Sequence, residues 1–109
     1  MNLNTKSCQT FRATIHMAGD VTTIKQICRE YCFNIGLCVT VNPTSYIYTG
    51  GEEQGAIIGL INYPRFESTP DVVFKKAEDL AEILIDRCYQ KSFTIVTDDK
   101  TYYYERDWK

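Results

Sequence analysis

Apolar residues along this 109-residue chain change their spacing repeatedly, from every second position to every third or fourth and back, and that alternation limits the fold more than any other feature. From Phe11 to Met17 the apolar Phe11, Ala13, Ile15 and Met17 alternate with Arg12, Thr14 and His16, the period of a strand with one buried face. Gly19 breaks the strand, and Asp20 is placed to accept from the free N–H groups of a helix start. Between Val21 and Ile35 the residues Ile24, Ile27, Cys28, Tyr31 and Ile35 fall at three- and four-residue steps, and Gly36 supplies a left-handed stop. Leu37, Val39 and Val41 predict a second strand that bends at Asn42-Pro43 and resumes from Ser45 to Tyr48. The Gly50 to Gly55 segment predicts a hairpin turn. Ala56 to Tyr63, almost wholly apolar, predicts a return strand that is central or covered on both faces. Thr69-Pro70-Asp71 predicts a capped helix start, and Ala77, Leu80, Leu84 and Cys88 its apolar stripe. Phe93, Ile95 and Val96 predict a fourth strand, Asp98-Asp99-Lys100 a tight turn, and Thr101 to Glu105 a short fifth strand.

That order is βαββαβ with one extra C-terminal strand, the split βαβ or ferredoxin-like arrangement of the α+β class. Two helices on one face of an antiparallel sheet bury both apolar stripes at once, so the reverse face is left for solvent, a second subunit or a ligand. The length suits a single domain spanning 1–109, with the polar residues 1–9 expected as a flexible arm.

Composition narrows the function classes. A net charge of -2 with scattered Lys and Arg lacks the basic stripe that phosphate-backbone binding requires, so nucleic acid is not expected as a partner. No segment approaches the roughly 20 apolar residues of a membrane span. Five cysteines, an odd number, in a chain able to build its own core fit reduced thiols in a cytoplasm. The spacing of Cys28, Cys32 and Cys38 matches no standard zinc signature, and no metal or cofactor is expected.

Several positions stand out on the predicted scaffold. Arg12, Thr14 and His16 project from the first strand away from the helices. His16 is the single histidine, and without a nucleophile or carboxylate at a telling spacing it reads as a surface or interface residue before a catalytic one. The Gly50 to Gly55 loop lacks the lysine of a phosphate cradle, but Glu52 and Glu53 could meet a basic partner or a cation. Tyr63, Arg65 and Phe66 gather two aromatics and a fixed cation at a strand end, residue types that anchor protein interfaces. Tyr102-Tyr103-Tyr104 and Trp108 form an aromatic C-terminal edge suited to self-association. The binding candidates are therefore Arg12, His16, Glu52, Glu53, Tyr63, Arg65 and Phe66, and no residue is assigned a catalytic role.

The topology is shared with RNA-recognition motifs, but Ile57, Gly59 and Ile61 stand where their stacking rings belong. The Gly19-Asp20 junction is similar in topology to amino-acid-sensing ACT domains, and the long hairpin from Leu37 to Tyr63 to trimeric signalling proteins of the PII and CutA kind. The stretch from Tyr46 through Gly50-Gly51-Glu52-Glu53 to Tyr63-Pro64-Arg65-Phe66 resembles small accessory proteins of bacteriophages and prophages. That resemblance implies an accessory role in an infected bacterium, such as binding and redirecting a host protein. With no catalytic constellation and surplus aromatics on the strands, the leading expectation is a non-enzymatic homo-oligomer that binds and modulates a bacterial host protein through its open sheet face and strand-end aromatics. The alternatives are an oligomeric small-molecule-binding module of the sensor type and, third, a small enzyme using His16.

Overall fold

The computed structural model describes residues 1–107. Trp108, expected on the aromatic edge, lies outside the described residues. The elements are β1 (Arg12–Ala18), α1 (Val21–Ile35), β2 (Thr40–Tyr48), β3 (Gly51–Ile61), a 3-10 turn (Pro64–Phe66), α2 (Pro70–Arg87), β4 (Ser92–Thr97) and β5 (Thr101–Glu105). All five strands form one antiparallel sheet in the order β2-β3-β1-β4-β5, with β1 at its centre. The α+β, ferredoxin-like arrangement with an added C-terminal strand is thus the observed fold.

Local chemistry fixes the helix limits. The Asp20 carboxylate accepts from the Thr23 backbone N–H at 2.9 Å, and Gly36 closes α1 at φ 77°, its N–H donating to the Cys32 carbonyl. Thr69 caps α2 by accepting from the Val72 N–H, with Pro70 at the first helical position, where no donor is needed.

The core lies between the helices and one sheet face. Ala13, Ile15 and Met17 of β1, Ala56, Ile58 and Leu60 of β3, and Phe93 and Ile95 of β4 pack under Ile24, Ile27, Cys28 and Tyr31 of α1 and Val73, Ala77, Leu80, Ala81, Leu84 and Ile85 of α2. The period-two alternation of the strands puts the intervening residues, among them Arg12, Thr14 and His16, on the face without helices.

Two expectations need correction. First, β2 begins at Thr40 and runs unbroken through Pro43, which sits opposite Ala56. Because β2 is an edge strand, a residue without an N–H can be accommodated with no ladder bond lost to a second neighbour. Second, the Gly50 to Gly55 loop is mostly strand. The turn is Thr49-Gly50, with Gly50 at φ 88°, and pairing starts with Tyr48 opposite Gly51. As expected, β3 is an interior strand between β2 and β1, and its Ala56, Ile58 and Leu60 side chains are buried against the helices. Ile57 and Gly59 are half-exposed and Ile61 is exposed on the other side.

The tyrosine run of β5 divides by the same alternation. Tyr102 and Tyr104 turn toward the helices, where the Tyr102 ring meets Phe74 at 4.8 Å and Tyr104 stacks on Phe93 at 4.5 Å, while Tyr103 is exposed. The segment before β1 has no regular secondary structure, but the Asn62 amide donates to the Gln9 carbonyl at 2.8 Å, which ties its end to the end of β3. No helix among the described residues is long and apolar enough to cross a membrane.

Candidate functional site

The helix-free face is where side chains of differing chemistry converge. A shallow recess of about 340 Å³ is lined by His16 from β1, Tyr46 and Tyr48 from β2, Glu53 from β3, and Gln90, Lys91, Ser92 and Thr94 at the start of β4. Register brings them together. His16 lies opposite Thr94 on one side and Ile57 on the other, and Tyr46 lies opposite Glu53.

Two glycines shape this recess. A Cβ on Gly51 would stand 2.8 Å from the Tyr48 ring, and one on Gly55 would stand 2.8 Å from the Tyr46 ring, so both tyrosines pack closely over the bare backbone of β3. Glu53 rises between the two glycines on the same face, since strand side chains two apart share a side. The Tyr46 hydroxyl donates to the Ala56 carbonyl at 2.7 Å, which pins that ring. The Tyr48 hydroxyl donates to the Glu53 carboxylate at 3.0 Å, and this bond to an anion raises the tyrosine's pKa above its ordinary value. His16 Nε2 and the Thr14 hydroxyl are 3.1 Å apart. Burial lowers the His16 pKa, which favours the neutral imidazole at pH 7. The recess therefore offers two aromatic rings, a carboxylate, a neutral imidazole and, at its rim, a lysine.

The seven residues singled out from sequence do not form one site. His16 and Glu53 line the recess. Glu52 points to the opposite side of β3 from Glu53 and is exposed. Arg12 is held at the other end of β1 by Asp98, with its guanidinium and backbone N–H both donating to that carboxylate at 2.8 to 3.0 Å. Tyr63, Arg65 and Phe66 follow the far end of β3, eight residues beyond Glu53, about 27 Å at the rise of an extended strand. There the Tyr63 hydroxyl accepts from the Cys38 thiol at 3.4 Å, and the Arg65 guanidinium lies 5.3 Å from the Phe66 ring centre. Tyr46, Tyr48, Lys91 and Thr94 were not among the sequence candidates. For the tyrosines a signal existed: Tyr46-x-Tyr48 faces Gly51-x-Glu53-x-Gly55 across one turn, both at the strand period. Lys91 and Thr94 join only through the β1–β4 pairing. Among the described residues no three His, Cys, Asp or Glu side chains converge as a metal site.

No family model and no curated protein matches this chain. Two solved structures do. A phage SAM lyase in complex with S-methyl-5'-thioadenosine superposes with a TM-score of 0.67 at 12% identity, covering 100% of this chain and 99% of that one. A phage SAM lyase in the apo state superposes with a TM-score of 0.68 at 16% identity, covering 91% of each chain. The expectation of a non-enzymatic protein that binds and modulates a host protein is overturned by this match, because the fold along the whole chain is one that carries an enzyme. Open sheet face and surplus aromatics fit a small-molecule site as readily as a protein interface.

Proposed function

We propose that this chain is a lyase that cleaves S-adenosylmethionine at the recess of His16, Tyr46, Tyr48 and Glu53, releasing S-methyl-5'-thioadenosine. The observation that carries the reading is the superposition along the full chain on a phage SAM lyase with that thioether nucleoside bound. The chemistry of the recess supports it. Cleavage breaks the bond between the sulfonium sulfur and Cγ of the amino-acid side chain while an oxygen of the substrate's own α-carboxylate bonds that carbon, which closes a lactone of the amino acid as the second product; the electron pair of the broken bond stays on sulfur, and its positive charge disappears. A carboxylate held against the sulfonium would stabilise the charged ground state more than the transition state and would slow the step. Glu53, already committed to the Tyr48 hydroxyl, is better used on groups whose charge does not change, the ribose hydroxyls or the α-ammonium. The Tyr46 and Tyr48 rings suit stacking with the adenine ring. A neutral His16 leaves the reacting end without a competing fixed charge.

The test is incubation of the purified chain with S-adenosylmethionine and chromatographic measurement of S-methyl-5'-thioadenosine. Glu53→Gln is expected to lower kcat/KM by about 10- to 100-fold, the value of one hydrogen bond to a charged group, with no change in melting temperature. A wild-type chain that yields no S-methyl-5'-thioadenosine refutes the activity. An active Glu53→Gln variant with unchanged kinetics refutes the site.

A further inference from the structure

The turn that ends α2 is built on a residue of unexpected type. Past the cap at Cys88, Tyr89 takes φ 55°, the one positive φ at a residue other than glycine among the described residues. Its N–H donates to the Asp86 carbonyl at 3.3 Å and the Gln90 N–H to the Ile85 carbonyl at 2.8 Å, the paired bonds of a turn whose left-handed position is usually taken by glycine. The first helix follows that rule, with Gly36 at φ 77°. In this conformation a Cβ crowds the following carbonyl oxygen, so a tyrosine there lowers stability. Nothing in the fold offsets the strain: the side chain is 83% exposed and has no hydrogen-bond or ring partner among the described residues. A strained residue that packs on nothing points to a contact made outside the folded chain.

Its place in the chain says which contact. Gln90 and Lys91, the next two residues, line the recess from the β4 side, while Tyr46 and Tyr48 line it from the β2 side. Between them run β3 and β1, so the two sides are three strand spacings apart, about 14 Å. A purine stacked on a tyrosine ring at about 4.5 to 7 Å between centres leaves the β4 side of that gap unfilled. The Tyr89 Cα is two residue steps, at most about 7.6 Å, from that of Lys91, which puts its ring at the rim. We infer that Tyr89 is the third ring of the site, folding over the rim from the β4 side to hold the adenine of the nucleoside against Tyr46 and Tyr48. The identity of this ligand rests on the lyase reading, whereas the strain and exposure of Tyr89 do not. Tyr103, another exposed ring on the helix-free face, is held along β5 by the 2.8 Å bond from its hydroxyl to the Glu105 carboxylate and has no part in the contact.

The experiment titrates S-methyl-5'-thioadenosine, the unreactive product, into the full chain by calorimetry and follows urea unfolding alongside. Tyr89→Gly is expected to raise Kd about 5- to 10-fold, the lower range for loss of one ring stacked on a base. Its urea midpoint is expected to be no lower than that of wild type, because glycine takes the left-handed position without strain. Tyr89→Phe keeps the ring and should hold Kd within about twofold of wild type, and Tyr103→Ala should leave it unchanged. A lower midpoint for Tyr89→Gly would mean that the ring packs within the fold, and it overturns the inference. So does an unchanged Kd in Tyr89→Gly, or an equal loss of affinity in Tyr103→Ala. A wild-type chain that fails to bind S-methyl-5'-thioadenosine overturns the lyase reading along with this one, so wild type alone tells the two failures apart.

Discussion

Gly55→Ala is the substitution that most directly tests how the sheet and the recess are built together. Gly55 sits opposite Ala18 of β1 and Thr44 of β2. A methyl group there would overlap the Met17 carbonyl oxygen and stand 2.8 Å from both the Ala18 Cα and the Tyr46 ring. Carbon pairs sit comfortably at about 3.5 to 4.0 Å, so the shortfall is at least about 0.7 Å. Two of the three neighbours are backbone atoms of the central strand and cannot rotate aside. Either β1 and β3 part locally, at the about 1 to 3 kcal/mol typical of overpacking, or Tyr46 leaves and its bond to the Ala56 carbonyl is lost, about 1 kcal/mol more. The expected destabilisation is about 3 kcal/mol, a large part of the about 5 to 15 kcal/mol that holds a domain folded. Gly36→Ala is the control. It has open space around its Cβ position but a φ of 77°, so it should cost only about 1 kcal/mol for the left-handed backbone. Urea unfolding of wild type and both variants measures the difference, read from midpoints at constant slope. If Gly55→Ala proves no more destabilising than Gly36→Ala, the close approach of Tyr46 and β1 to β3 is wrong, and with it the geometry of the recess.

Leu80→Ala, at a fully buried position of α2, should cost about 3 to 5 kcal/mol through lost burial and an unfilled cavity, checked by the same unfolding curves. Tyr104→Phe removes the 2.7 Å bond from its hydroxyl to the Glu78 carboxylate but keeps the ring stacked on Phe93, so a loss of about 1 kcal/mol is expected, and a loss as large as that of Leu80→Ala would show the hydroxyl to be essential to packing. His16 has its folded-state pKa lowered from 6.5 by burial, so the unfolded chain binds its proton first as pH falls. Its contribution is constant above about pH 6.5 and declines as pH drops through the folded value; His16→Gln should flatten the pH dependence of stability across that window, and identical curves for variant and wild type would rule the effect out.

What the sequence determined by itself was the one-dimensional part of the problem. Asp20, Gly36, Thr69 and Pro70 mark helix limits through features within a few residues, and the apolar periods of α1, α2 and β1 state which side of each element must be buried. From those alone the ferredoxin-like order and the helix-free sheet face follow. The reading failed where a residue's meaning depends on a neighbour distant in sequence. Pro43 looked like an interruption because nothing local reveals that β2 is an edge strand, and Gly51 and Gly55 looked like a turn because the tyrosine rings that occupy their missing side chains come from the partner strand. The same limit hid the recess. His16, Glu53 and Lys91 are 37 and 38 residues apart along the chain, and only the register of β1 with β3 and β4 puts them on one surface. Strand pairing is a long-range choice made by the packed core, so the tertiary structure decided which of the scattered polar residues share a site, while the sequence had already decided on which face of the sheet that site could lie.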